Sequence, residues 1–315
     1  MSAERTGEPP PRALGPDAVD ARAVRRAFGR AAATYAQAAV LQREVGARMA
    51  GRLEFVKLAP AAILDAGCGT GEAQAALAAR YPNARRVALD LALPMLEATR
   101  GSDSLLARIA GAVRGARRPP DCVCGDIGAL PFASGAFDLV WSNLALQWVN
   151  DLPAALAGFR RALKVGGLVS FTTFGPDTLK ELRAAFAGVD RHTHVSRFVD
   201  MHDVGDLLVQ AGFDDPVMDM ECITLTYADG EAMMRDLKAI GATNATLGRP
   251  RGLTGRDRWR RTLATLDAMR RDGRIPATFE VIYGHAWKVL PTATADGLPI
   301  VRFERGQRPA ARSRP

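Results

Sequence analysis

No stretch constrains this 315-residue chain more than Ile63-Leu64-Asp65-Ala66-Gly67-Cys68-Gly69-Thr70-Gly71. A short apolar run stops at three alternating glycines, and an Ala/Leu pattern of helical spacing follows through Arg80. That order predicts strand, tight turn and helix, the glycines letting the backbone turn sharply and approach a ligand that side chains would exclude. A dinucleotide fingerprint needs its third glycine at the sixth position from Gly67, where Glu72 stands, and the Lys-Ser/Thr of a P-loop is missing. With Asp65 and Glu72 beside it, the turn suits a ligand bearing an amino group better than a pyrophosphate.

The pattern then repeats in kind. Segments Arg86 to Asp90, Asp121 to Cys124, Phe137 to Ser142 and Gly167 to Thr173 read as strands, with helices from Pro94, over Asp151 to Leu163 and over Asp177 to Phe186. Five alternations predict an α/β fold with a parallel sheet, helices on both faces, and a ligand site outside the carboxyl ends of the strands. Two longer strands, Val217 to Tyr227 and Ala277 to Lys288, enclose helical stretches at Glu231 to Ile240 and Asp257 to Arg271, so residues 229–276 form an insertion before the last strand. Residues 23–56 read as a helical prelude. One domain over 23–290 is expected, with Pro-, Gly- and Arg-rich ends at 1–22 and 291–315 expected to be disordered.

Composition removes several classes. Four cysteines, Cys68, Cys122, Cys124 and Cys222, make neither a disulfide framework nor a zinc spacing, and Cys122 and Cys124 alternate along one strand. His192 and His194 without a nearby acid pair are read as structural or surface residues, so no metal is expected. No run reaches the roughly 18 apolar residues of a spanning helix, and the start lacks a signal-peptide core, so a cytoplasmic protein is expected. The net charge of +8 favours acidic partners without identifying one.

Acids close three successive strands. Asp90 lies where nucleotide-binding α/β folds reach ribose hydroxyls, and Asp126, next to Ile127, suits an adenine amine with apolar cover for the ring. Together with the glycine turn, residues 60–175 resemble the class I S-adenosylmethionine-dependent methyltransferases. The resemblance implies a Rossmann-like, seven-stranded, doubly wound sheet and S-adenosylmethionine as cofactor. It assigns Gly67, Gly69 and Gly71, with Asp65, to the methionine part, Asp90 and Leu91 to the ribose, Asp126 and Ile127 to adenine, and counts Asn143 among the cofactor contacts.

The acceptor is narrowed first by omission. Ser142-Asn143-Leu144-Ala145-Leu146-Gln147-Trp148 lacks the Asn/Asp-Pro-Pro-aromatic sequence of base amino methyltransferases, no Pro-Cys nucleophile occurs, and aromatics are scarce at 6%, which disfavours nucleic acid. Positively, Ala27 to Tyr35, Leu41-Gln42-Arg43, Trp141 to Trp148, Phe171 to Phe174, Arg197-Phe198 and Lys238 to Asn244 are similar, over residues 24–288, to the malonyl-[acyl-carrier protein] O-methyltransferases of biotin synthesis. This implies an amino-terminal lid that puts Tyr35 over the methyl donor, and an acyl carrier protein bearing a malonyl group as partner. A free carboxylate wants a bidentate guanidinium, so Arg197, Arg249 and Arg251 are candidates, Arg249 foremost. The clusters Arg160-Arg161-Lys164 and Arg256, Arg258, Arg260, Arg261, Arg270 and Arg271 offer docking faces for an acidic carrier. A second resemblance, carried by Gln147 to Pro153, Gly175 to Arg183 and Asp272 to Thr278, is to mitochondrial complex I assembly factors, one kind of which hydroxylates an arginine; an RNA methyltransferase is a further alternative.

Overall fold

The computed structural model describes residues 14–100, 118–250, 252 and 254–290. Seven strands, β1 (Ala62–Ala66), β2 (Arg85–Asp90), β3 (Asp121–Cys124), β4 (Phe137–Ser142), β5 (Leu163–Phe174), β6 (Asp214–Tyr227) and β7 (Ile275–Trp287), make one sheet in the order β3-β2-β1-β4-β5-β7-β6. The first five pair in parallel, whereas β7 runs antiparallel to both β5 and β6. The strand order reverses between β1 and β4, which opens a crevice at their carboxyl ends.

Alternate strand residues feed two apolar layers. Ile63, Leu139 and Trp141 pack with the helix α2 (Val40–Arg52) on one face, while Leu64, Val140 and Val169 pack with α5 (Leu152–Ala162) and α7 (Met201–Gln210) on the other. The remaining described α-helices are α1 (Ala21–Ala38), α3 (Gln74–Arg80), α4 (Leu93–Arg100), α6 (Lys180–Ala187), α8 (Gly230–Ala239) and α9 (Arg256–Asp267), the last two forming the insertion between β6 and β7. Helix α7 has no counterpart in the sequence reading, because Gly205 dilutes a short apolar pattern; Asp200 caps it by accepting from the His202 N–H at 2.8 Å.

The helical prelude is two helices broken at Ala39. Its start departs from expectation. Residues 17–20, counted with a disordered leader, are held in place: Val19 is buried, bridges to Thr246, and exchanges hydrogen bonds with the Asn150 amide at 2.7 and 2.9 Å. Asp20 then caps α1, accepting from the N–H groups of Arg22 and Ala23. Long-range pairing of this sort leaves no mark on local composition. Residues 1–13 and the tail 291–315 lie outside the described residues.

Candidate active site

Gly67, Gly69 and Gly71 all adopt positive φ, at 80°, 56° and 87°. A side chain at Gly67 would collide with Ala145, and one at Gly71 would come within 2.8 Å of Thr99 Cγ2, so the turn is set by packing as well as by φ. Above it, the Gly67 and Cys68 N–H groups donate to Leu89 O, and the Gly69 N–H donates to Asp90 Oδ2 at 3.0 Å. The other Asp90 oxygen accepts from the Ala92 N–H at 2.8 Å. Burial pushes the Asp90 carboxyl up to about 6, against the pull of these backbone donors.

Gly67, Gly69, Asp90, Leu91, Asp126, Ile127 and Asn143 all line one solvent-open cleft that encloses about 680 Å³. Its floor is the strand crevice and its roof is α1, which contributes Ala21, Val24, Phe28 and Tyr35. Asp126 keeps its turn by accepting from the Gly128 N–H at 2.8 Å, and Asn143 is fixed between α2 and β5 by the Gln42 carbonyl and the Thr172 hydroxyl. Two expected contacts fall elsewhere. Gly71 packs on Thr99 and shapes the turn without lining the cavity. Asp65 is 2% exposed and accepts from Gln74 Nε2 at 2.6 Å, beneath the turn; burial pushes its carboxyl up to about 7, which suits a supporting residue and not a ligand contact.

A second cavity of about 760 Å³ adjoins the first, and Phe28, Tyr35, Leu144 and Trp148 line both. Tyr35 therefore stands at the junction, its ring 3.4 Å from where a Cβ on Gly69 would stand. Burial, with the charges of Glu72 and Asp90 adding to it, raises its hydroxyl above the usual range and keeps the O–H protonated. The second cavity is walled by Phe174, Leu182, Phe198, Leu237, Ile240 and Phe279, with polar points at Gln42, Gln147, Thr178, His194, Ser196, Thr243 and Asn244. No Lys, Arg, Asp or Glu stands among the described residues that line it.

That lining corrects the arginine expectation. Arg249 donates to Thr246 O at 2.7 Å and to Asp20 Oδ2 at 2.8 Å, pinning the cap of the lid helix, and lines neither cavity. Arg197 is 82% exposed beside Asp17, on a neighbouring surface groove. Arg251 lies outside the described residues. Of the basic clusters, Arg160 and Arg161 bond backbone carbonyls and Lys164 pairs with Asp138, which makes them structural. His194, read as structural, donates from Nε2 to Asp190 Oδ1 at 2.8 Å and stacks on Phe186, yet also reaches the second cavity. Gln42 and Gln147 were not singled out by the sequence reading; the stretches similar to the malonyl family contain both, and only the fold brings them to one cavity.

A methyltransferase-domain family model matches residues 64–171. The chain is 53% identical over 284 residues to a malonyl-[acyl-carrier protein] O-methyltransferase of Gallionella capsiferriformans, covering 90% of this chain and 96% of that relative. It is 56% identical over 289 residues to the protein of that name from Laribacter hongkongensis, with the same coverage. The chain belongs to the malonyl-[acyl-carrier protein] O-methyltransferase family. It is thereby an S-adenosylmethionine-dependent methyltransferase, and these relatives favour the first of the two resemblances over the assembly factors. Among solved structures, the YcgJ protein of Bacillus subtilis (TM-score 0.53, 15% identity, 78% of this chain and 99% of that one) and a putative methyltransferase of Bacillus halodurans (0.53, 18%, with the same coverage) share its fold.

Proposed function

We propose that the protein transfers a methyl group from S-adenosylmethionine to the free carboxylate of a malonyl thioester on acyl carrier protein, giving the methyl ester that opens biotin-precursor synthesis. The observation that carries this reading is the junction at Tyr35: a cavity with a nucleotide-type acid pair meets a largely apolar one that, among the described residues, holds no acid to serve as a base.

S-adenosylmethionine supplies an electrophilic methyl on a positively charged sulfur. In the first cavity Gly67 and Gly69 would take its methionine part, Asp90 the ribose hydroxyls, Leu91 the neighbouring apolar face, and Asp126 with Ile127 the adenine. The left-handed glycines support this fit, because a Cβ at Gly67 would strike Ala145 and displace a wall of the same cavity. Asp90 supports it as well, its carboxylate lying at the carboxyl end of β2.

A malonyl carboxylate is ionised at pH 7, so the acceptor needs no proton removed. The chain's task is positioning and exclusion of water, which raises the effective concentration of the reacting groups and strengthens electrostatics between them. Tyr35, protonated, offers an O–H to orient the acceptor carboxylate, and Phe28, Leu144 and Trp148 close the junction to solvent. For docking, the arginines of α9 are exposed, with Arg258 and Arg260 held only in long surface ion pairs, and suit an acidic carrier. Four free thiols fit a reducing, cytoplasmic compartment.

The test is a mass-spectrometric turnover assay with purified protein, S-adenosylmethionine and malonyl-acyl carrier protein. One added methyl on the malonyl group, diminished in Tyr35→Phe, is the expected result. Cofactor binding without transfer would overturn the reading.

A further inference from the structure

We infer that Gln42 and Gln147 recognise the amide-bearing arm through which the acyl group is delivered, so that the second cavity selects thioesters whose thiol arm carries a secondary amide. This rests on the function proposed above and extends it from the acyl end to the arm.

Both glutamines line the second cavity, Gln42 from α2 and Gln147 from the short turn after β4. In both, the carboxamide oxygen is buried and has no hydrogen-bond partner among the described residues. A buried acceptor left unsatisfied costs about 1–3 kcal/mol, and such atoms in a folded protein call for an explanation. Two of them at one cavity, from segments that meet only through the fold, mark a place where a donor is missing. The donor side of Gln147 is already engaged, its Nε2–H giving to Leu144 O at 2.7 Å, so turning the amide over would set oxygen against oxygen.

At Gln147, whose orientation that bond fixes, the missing group is therefore an N–H or O–H. A malonyl thioester supplies none at its acyl end, where the carboxylate and the thioester carbonyl are acceptors only. The arm of a carrier-bound acyl group does, because its secondary amides carry N–H groups. Charge agrees with this placement: the lining holds no Lys or Arg among the described residues, so it suits an uncharged amide and not a phosphate, which would stay outside. Entry of the arm would satisfy the two oxygens that the closed cavity leaves bare.

The test isolates one N–H. Purified full-length protein is assayed by mass spectrometry with the malonyl thioester of N-acetylcysteamine and with its acetoxyethyl counterpart, in which the amide N–H is replaced by an ester oxygen. The wild-type protein is expected to prefer the amide by about tenfold in kcat/KM, the effect of one hydrogen bond worth roughly 1.4 kcal/mol, and the difference should sit in KM. In the double variant Gln42→Leu and Gln147→Leu the preference should fall to none, because the amide substrate loses about tenfold more than the ester does, with S-adenosylhomocysteine affinity by calorimetry unaltered. An equal loss on both substrates would give the glutamines a merely structural role, and a wild-type protein blind to the replacement would overturn the inference without any variant. No transfer to either substrate or to malonyl-acyl carrier protein would overturn the functional reading itself, and this inference with it; transfer without an amide preference overturns this inference alone.

Discussion

Cofactor affinity should titrate with Asp90. Its carboxylate closes β2 at the first cavity, already accepts the Gly69 and Ala92 N–H groups at 3.0 and 2.8 Å, and burial lifts its pKa to about 6. In the ligand-free protein this raised value favours the neutral form, so its contribution to stability is present below about pH 4 and lost as the pH rises through about 6. Binding runs the other way, because ribose hydroxyls need the ionised acceptor. At pH 5, one unit below the pKa, about one molecule in eleven is ionised, so affinity should be roughly tenfold weaker than at pH 7.5, and level above pH 7. Asp90→Asn keeps the side-chain volume but loses the charge. If each charge-assisted hydrogen bond is worth about 1.5–3 kcal/mol, losing one weakens binding roughly ten- to hundredfold, and the pH dependence should vanish. Calorimetric titration with S-adenosylhomocysteine from pH 5 to 8 measures both, with Asp65→Asn as the control for the acid beneath the turn. A flat wild-type profile, or an unchanged slope in Asp90→Asn, would refute the argument.

Gly67→Ala should abolish measurable cofactor binding and lower stability by about 1–3 kcal/mol in urea titrations, since alanine meets both a left-handed φ and the Ala145 side chain; wild-type affinity would contradict it. Arg249→Ala should weaken cofactor binding severalfold by loosening the cap of the lid helix, with little separate change in acceptor KM; a loss confined to acceptor KM would return Arg249 to the role the sequence suggested. Asp65, raised to about 7, stays neutral in the fold while an unfolded chain ionises, so the ligand-free protein should lose stability between about pH 4 and 7, by on the order of 4 kcal/mol. Thermal unfolding of Asp65→Asn should show a flatter profile over that range, and an unaltered one would place the titration elsewhere.

The cofactor half of this molecule was legible because it is written locally. Gly67 and Gly69, a strand-end Asp90 and the Asp126-Ile127 pair each sit where their own strand ends, so strand order alone gathers them. Asp65 shows the limit even there: proximity in sequence put it beside the turn, while the strand carried it beneath, onto Gln74. The acceptor half was not legible, because its partners are distant. Arg249 meets Asp20 across 229 positions, and Gln42 meets Gln147 only at a cavity wall shared by the lid and the sheet.

Among the described residues no guanidinium lines the second cavity, and a chemical reason agrees with that. A fixed Arg beside the carboxylate would hold the electron density that must move toward the methyl carbon, stabilising the reactant more than the transition state, in which that charge is being neutralised. In the proposed reaction the counter-charge comes with the donor sulfur and is consumed with the carboxylate's own. Among the described residues the walls hold no Lys or Arg, so in the proposed reaction that pair of charges would face each other with water excluded, where their attraction is strongest. Recognition then has to come from neutral groups, and the glutamines with bare oxygens, Gln42 and Gln147, are two such groups among the residues that line the second cavity.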